Sequence, residues 1–222
     1  MNHRHTSKTL SQSDIALQIE DLVEAVERSE GPVQSLTASG KTKRTKLTRY
    51  FENLDQMLAL VSHSDDYHYG PCLRLFQQAC YDVGVEHSPL VGINSFNEET
   101  SQYRDYSDTL NCLAERIRQL NRERSYRRRR DDARYQQRQQ SREVAEYVDQ
   151  VLDRYATTLV IRVNLYYRSA AKARLRVEHV FADLHRLIRA RERNPIFDHE
   201  TGYICRVEQG KRRGYHIHAA FF

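Results

Sequence analysis

His216-Ile217-His218, in a chain of 222 residues, is the tripeptide whose residue types and spacing suit chemistry. In a β-strand, residues i and i+2 project from one face with Cα atoms ~7 Å apart, so two imidazoles converge on one ion. Just upstream lies Tyr203-Ile204-Cys205-Arg206-Val207-Glu208, a second strand-like run. A hairpin turning over Lys211-Arg212-Arg213 sets Gly210 opposite Gly214 and Glu208 opposite His216. Cross-strand partners point to the same face, which adds a carboxylate to the two imidazoles. This N,N,O donor set, with positions left open, suits a catalytic Mg²⁺ or Mn²⁺, other divalent ions being possible. A metal held in this way polarises a phosphate oxygen and orients the scissile bond. A second H-x-H pair, His3 and His5, lies in a polar tip with no carboxylate placed by a hairpin, and it is assigned nothing. Cys72, Cys80, Cys112 and Cys205 are widely spaced with no C-x-x-C, which points to neither a zinc ribbon nor a disulfide framework. Cys72 and Cys80 read as small core hydrophobes.

The elements that must position this group follow from periodicity. Thr157 to Tyr167 is rich in β-branched and aromatic residues and reads as a strand. Leu159, Ile161, Val163 and Leu165 take one face, and Arg162, Asn164 and Tyr166 the other. A helix follows with Val177, Val180, Phe181, Leu184, Leu187 and Ile188 on one side, ended by Asn194-Pro195. The order β-α-β-β predicts a helix packed on one face of an antiparallel sheet over residues 156–222. Before it, residues 1–11 are polar and predicted to be a disordered tip. Residues 12–96 read as a helical domain. Ile15, Ile19, Leu22 and Val26 mark its first helix, stopped by Gly31-Pro32. Leu47, Tyr50, Phe51, Leu54, Met57, Leu58 and Val61 form a second stripe. A third helix is predicted over Pro71–Val83, with Pro71 in the first turn and Gly84 just past the end. Residues 97–155 read as one long helix. Its seam of Tyr103, Tyr106, Leu110, Leu113, Ile117 and Leu120 offers helix-mediated self-association, and its middle, Asn121 to Arg142, is polar and exposed.

Charge narrows the partner. The net charge is +5, yet residues 1–115 carry −7, residues 116–142 carry +8 and residues 151–222 carry +7. Twenty-nine of the 35 basic residues are Arg, which binds phosphate in bidentate fashion. A basic second half invites an anionic polymer. Candidate contacts to nucleic acid are Arg127, Arg128, Arg129 and Arg130 on the helix, with Arg162, Arg206, Lys211, Arg212 and Arg213 around the strands. Tyr126 and Tyr135, interleaved with the arginines, are read as exposed helix surface, with base stacking as the alternative. No run approaches the ~18 apolar residues of a membrane span and the N-terminus lacks an apolar leader, so a cytoplasmic protein without a membrane partner is expected.

Gly214-Tyr215-His216-Ile217-His218-Ala219-Ala220-Phe221-Phe222 resembles the histidine–hydrophobe–histidine signature of HUH endonucleases, the initiators of rolling-circle replication. Leu159 to Tyr167 resembles the first conserved strand of such proteins. With the Arg-rich helix before it, the chain resembles the inovirus-type replication protein family over about residues 96–222. The resemblance implies an α+β fold with a ferredoxin-like palm, β-α-β-β-α-β, of which the first four elements are present. It implies single-stranded or hairpin DNA as partner, and a divalent ion (Mg²⁺ or Mn²⁺) on His216 and His218 with Glu208 as third ligand. A tyrosine would attack the scissile phosphate, leaving a phosphotyrosyl link and a free 3′-OH. In the family that tyrosine lies on a helix after the histidine strand, and no residue here matches it. The expectation is therefore a truncated, inactive form of a phage-type initiator, with no catalytic residue of its own. The alternative is a non-enzymatic nucleic-acid-binding protein using its basic helix and sheet.

Overall fold

A computed structural model describes residues 9–37, 39, 41–62, 68–88, 92–97, 99–155, 157–211 and 213–222. Two compact units divide the chain. Residues 15–134 form one, and residues 135–222 form the other together with the start of the first helix up to Asp14. Most of the expected tip, residues 1–8 with His3 and His5, lies outside the described residues, as do His63 and Arg212. Ser11 does not belong to a tip. Its hydroxyl accepts the Asp14 N–H at 3.1 Å and opens helix α1 (Gln12–Glu27).

The unit of residues 15–134 is mixed rather than purely helical. After α1 come β1 (Gln34–Leu36), β2 (Thr42–Arg44), a 3-10 turn over Thr48–Phe51 and α2 (Leu54–Val61). They are followed by α3 (Pro71–Val83), β3 (Val85–Ser88), β4 (Gly92–Asn97), β5 (Gln102–Arg104), α4 (Tyr106–Arg122) and α5 (Arg124–Arg154). α3 starts on Pro71 and ends at Gly84, whose φ of 67° is the left-handed conformation glycine adopts freely. The strands β3, β4 and β5 form an antiparallel meander that the helical reading missed. They are short and carry Asn94, Ser95 and Asn97, so apolar alternation is absent. Ser95 is buried and shares a hydrogen bond with Thr109.

The helix expected over 97–155 is corrected at two points. It begins only after Asp105, whose carboxylate accepts the Asp108 N–H at 2.8 Å. It is then broken at Glu123, which is extended (φ −67°, ψ 137°). Tyr103 accordingly lies on β5, and Tyr106 is substantially exposed. Leu110, Leu113, Ile117 and Leu120 do form a seam, but it is buried against α1, α2 and α3 in the unit's own core. Those four side chains are therefore not available for self-association.

The remaining unit holds the second half of α5, then β6 (Ile161–Tyr166), α6 (Ser169–Lys172), α7 (Val177–Arg191), β7 (Tyr203–Gly210) and β8 (Gly214–Phe221). All strands are antiparallel in the order β6-β8-β7, so the last strand in sequence is the central one. β6 is shorter than expected, since residues 157–160 lie outside the ladder. α7 covers the sheet face that carries Val207 and Ile217, through a small core of Leu175, Val180 and Ile217 with Tyr167, Leu184 and Tyr215 packed on it. Phe181, expected on the apolar face of α7, is 47% exposed. The first turn of α1 is tied to this unit. The Gln12 side chain accepts the Val177 N–H at 2.8 Å, and the Gln209 amide donates to the Ser13 carbonyl at 2.7 Å. Among the described residues, no helix is long and apolar enough to cross a membrane.

Candidate metal centre

The hairpin of β7 and β8 has the register that its turn predicts. Gly210 pairs with Gly214, Glu208 with His216 and Arg206 with His218. Gly214 takes φ 66°, which lets the chain reverse after Arg213. β6 pairs on the other side of β8, with Tyr166 opposite His216 and Asn164 opposite His218. Side chains at paired positions share a face. Glu208, His216, His218, Asn164 and Tyr166 thus gather on the sheet face opposite α7.

His216 Nε2 and His218 Nε2 are 3.0 Å apart. Glu208 Oε2 lies 3.1 Å from His218 Nε2 and 3.8 Å from His216 Nε2. Three donors from three residues therefore point at one spot, all within 4.8 Å of one another. Neighbouring ligands in an octahedral shell of ~2.1 Å radius stand about 3 Å apart, so this triangle has the size of one face of such a shell. The rest of each imidazole is also committed. His216 Nδ1 is 2.9 Å from the Gly214 carbonyl, which only accepts, so Nδ1 carries the proton and Nε2 presents its lone pair. His218 Nδ1 meets Asn164 Oδ1, with the same consequence. Ligating histidines are ordinarily oriented in this way. Asn164 had no such role in the sequence reading. Its signal was present in its place on the Arg162, Asn164, Tyr166 face, but only the pairing of β6 with β8 connects that face to His218.

His216 is 6% exposed. Tyr166 stacks on its ring with centroids 5.3 Å apart, and the Arg213 guanidinium lies 4.7 Å above the Tyr166 ring and donates to its hydroxyl. Arg206 reaches Glu208 Oε1 at 3.5 Å and is otherwise mostly exposed. Arg162 is exposed on the same face, opposite Ala220. Of the expected cations, Arg206 touches the triad, Arg213 reaches Tyr166 beside it, and Arg162 lies on the same sheet face. Lys211 is exposed in the turn.

The other unit sorts the helix arginines. Arg127, Arg128 and Arg129 are exposed. Arg130 is held instead by Glu27 at 3.1 Å and lies over the Tyr126 ring, so its charge is spent on an internal pair. Tyr126 is not exposed surface. It is 3% exposed in the core, with its hydroxyl 3.6 Å from Cys72 Sγ, and it is unavailable for stacking on bases. Burial pushes the Tyr126 hydroxyl and the Cys72 and Cys80 thiols up, in keeping with structural roles. Tyr135 is 66% exposed.

Comparison of the chain with protein-family models, curated proteins and solved structures finds no match. The functional reading therefore rests on the residues themselves.

Proposed function

We propose that the chain is a metal-dependent protein of the rolling-circle initiator type, acting on single-stranded or hairpin DNA. The observation that carries this reading is the triad of Glu208, His216 and His218 on a sheet face that also carries Arg162 and Arg206, with Arg213 on the adjoining Tyr166. The β-α-β-β order with a helix on one face supports an HUH-type palm. His216 and His218 supply nitrogen and Glu208 oxygen, a donor set for Mg²⁺ or Mn²⁺. Bound there, the ion contributes Lewis acidity toward a phosphate oxygen. The arginines hold the strand's phosphates, and Asn164 and the Gly214 carbonyl hold the imidazoles in the ligating tautomer.

The nucleophile is a separate matter. Among the described residues, Tyr166 lies against the triad, its ring stacked on His216 and its hydroxyl accepting from Arg213. We expect this chain to bind metal and DNA without forming a covalent adduct. His216→Ala or His218→Ala should abolish Mn²⁺ binding in titration calorimetry and leave much of the affinity for single-stranded DNA. Equal Mn²⁺ affinity in variant and wild type would remove the metal site. A protein–DNA adduct formed with Mn²⁺ would restore a nucleophile to the chain.

A further inference from the structure

Beside the triad, the unit of residues 135–222 holds a groove of about 670 Å³ between α5 and β7. One wall is a helical stripe of Gln137, Gln140, Ser141 and Val144, spaced three and four residues apart, with the Glu143 carboxylate at its margin accepting from the Gln139 amide. The other is the edge of the sheet from Tyr203 to Arg206. Tyr147 closes one end. Its hydroxyl accepts the Tyr203 N–H at 3.1 Å and sits where Gly202 leaves room, since a Cβ there would stand 2.4 Å from it. The Tyr203 N–H thus points out of the sheet toward α5. By the two-residue period of a strand, the N–H and C=O of Cys205 point to the same edge. Arg206 forms the other end, and its guanidinium is the group that touches Glu208.

The lining has a definite chemistry. Two side-chain amides, Gln137 and Gln140, make no hydrogen bond to other described residues, and an amide can both donate to and accept from one base edge. A backbone donor and acceptor stand across from them. Aromatic and aliphatic surface from Tyr147, Tyr203, Ile204 and Val144 gives a flat apolar ligand something to lie on. The volume falls within the ordinary range of ~300–1,000 Å³ for small-ligand sites. Among the described residues, the groove's one cation, Arg206, stands at the end next to the triad, and its one carboxylate, Glu143, on the helix wall. A ligand's negative charge therefore belongs at the Arg206 end, and a neutral part able to donate hydrogen bonds belongs in the groove. A nucleotide has this distribution. An extended peptide adding to the β7 edge is the other candidate, but strand addition gives no account of why the groove's cation reaches Glu208 of the triad.

We propose that this groove seats one unpaired base of a single DNA strand, directly next to the phosphate that a metal ion on Glu208, His216 and His218 would take. The inference rests on the DNA-binding reading above and deepens it. It is tested with the full chain and a fluorescent single-stranded oligonucleotide in Mn²⁺, with abasic sites placed one position at a time. In wild type, one abasic position should weaken binding about tenfold, the loss expected from one stacked and hydrogen-bonded base. In Ser141→Trp, which fills the groove from an exposed helix position, and in the double variant Gln137→Ala/Gln140→Ala, intact oligonucleotide should bind about tenfold more weakly. The same abasic position should then cost nothing further, and Mn²⁺ affinity should match wild type. Wild-type binding that neither groove variant alters overturns the groove and leaves the DNA reading standing. A wild type that does not bind the oligonucleotide overturns both. If the variants bind DNA as wild type does but bind an unstructured peptide more weakly than wild type, what is overturned is the base assignment, in favour of strand addition.

Discussion

At the scale of single residues, the triad depends on groups that never touch the ion. His218 is a useful ligand only while Nδ1 keeps its proton, and the Asn164 carbonyl oxygen keeps it there. Replacing Asn164 by Leu should lower Mn²⁺ affinity 10–100-fold, the usual cost of losing such a partner. Asn164→Asp keeps the acceptor and should recover most of it, as read by calorimetry on folded protein. A purely steric role for Asn164 would predict the opposite ranking, with Leu tolerated and Asp not. Glu208, His216 and His218 were legible in the sequence because a hairpin with glycines at both ends of its turn has a countable register. Asn164 was not, because its partner lies 54 positions away on a strand whose alignment no local pattern sets. Tyr126 was misread for a related reason. It stands among arginines, and only the break at Glu123 redirects the helix so that this ring is buried.

At the scale of elements, the termini carry the clearest consequences. Gly84 ends α3 in the left-handed region, and a Cβ there would stand 3.3 Å from the Phe96 carbonyl oxygen of β4. Gly84→Ala should therefore cost about 1–2 kcal/mol in chemical denaturation. Pro71 and Gly84 made α3 readable to the residue, whereas β3, β4 and β5 gave no such punctuation. At the end of β6, the Tyr167 hydroxyl donates to Asp183 of α7 at 2.7 Å. Burial, reinforced by that carboxylate, pushes the Tyr167 hydroxyl well above its ordinary value near 10. The folded state thus holds this proton more tightly than the unfolded chain does. The associated stability is fully present below about pH 10 and is lost as pH climbs through the folded value. Tyr167→Phe should cost about 1 kcal/mol at neutral pH. It should also flatten the alkaline fall of a denaturation-midpoint series against pH.

At the scale of the whole molecule, the net +5 of the sequence resolves into exposed arginines on two separate units. Arg127, Arg128 and Arg129 belong to one, and Arg162, Arg206 and Arg213 to the other. Each phosphate contact on a single strand adds about 0.7 to the slope of log affinity against log salt. Changing either set of three to Gln should then reduce that slope by about 2 in an anisotropy titration. A slope unmoved by the second set would place the DNA on the helix alone and favour the non-enzymatic reading.

The strand order has one more consequence, for how the molecule is made. Among the described residues β6 and β7 are not hydrogen-bonded neighbours; each pairs with β8, which follows both in the chain. During synthesis the unit of residues 15–134 has all its parts long before β8 emerges. The two outer strands wait unpaired until the strand bearing both histidines arrives between them. Sheet closure and assembly of the triad are therefore one event, and a chain caught before it exposes strand edges to aggregation.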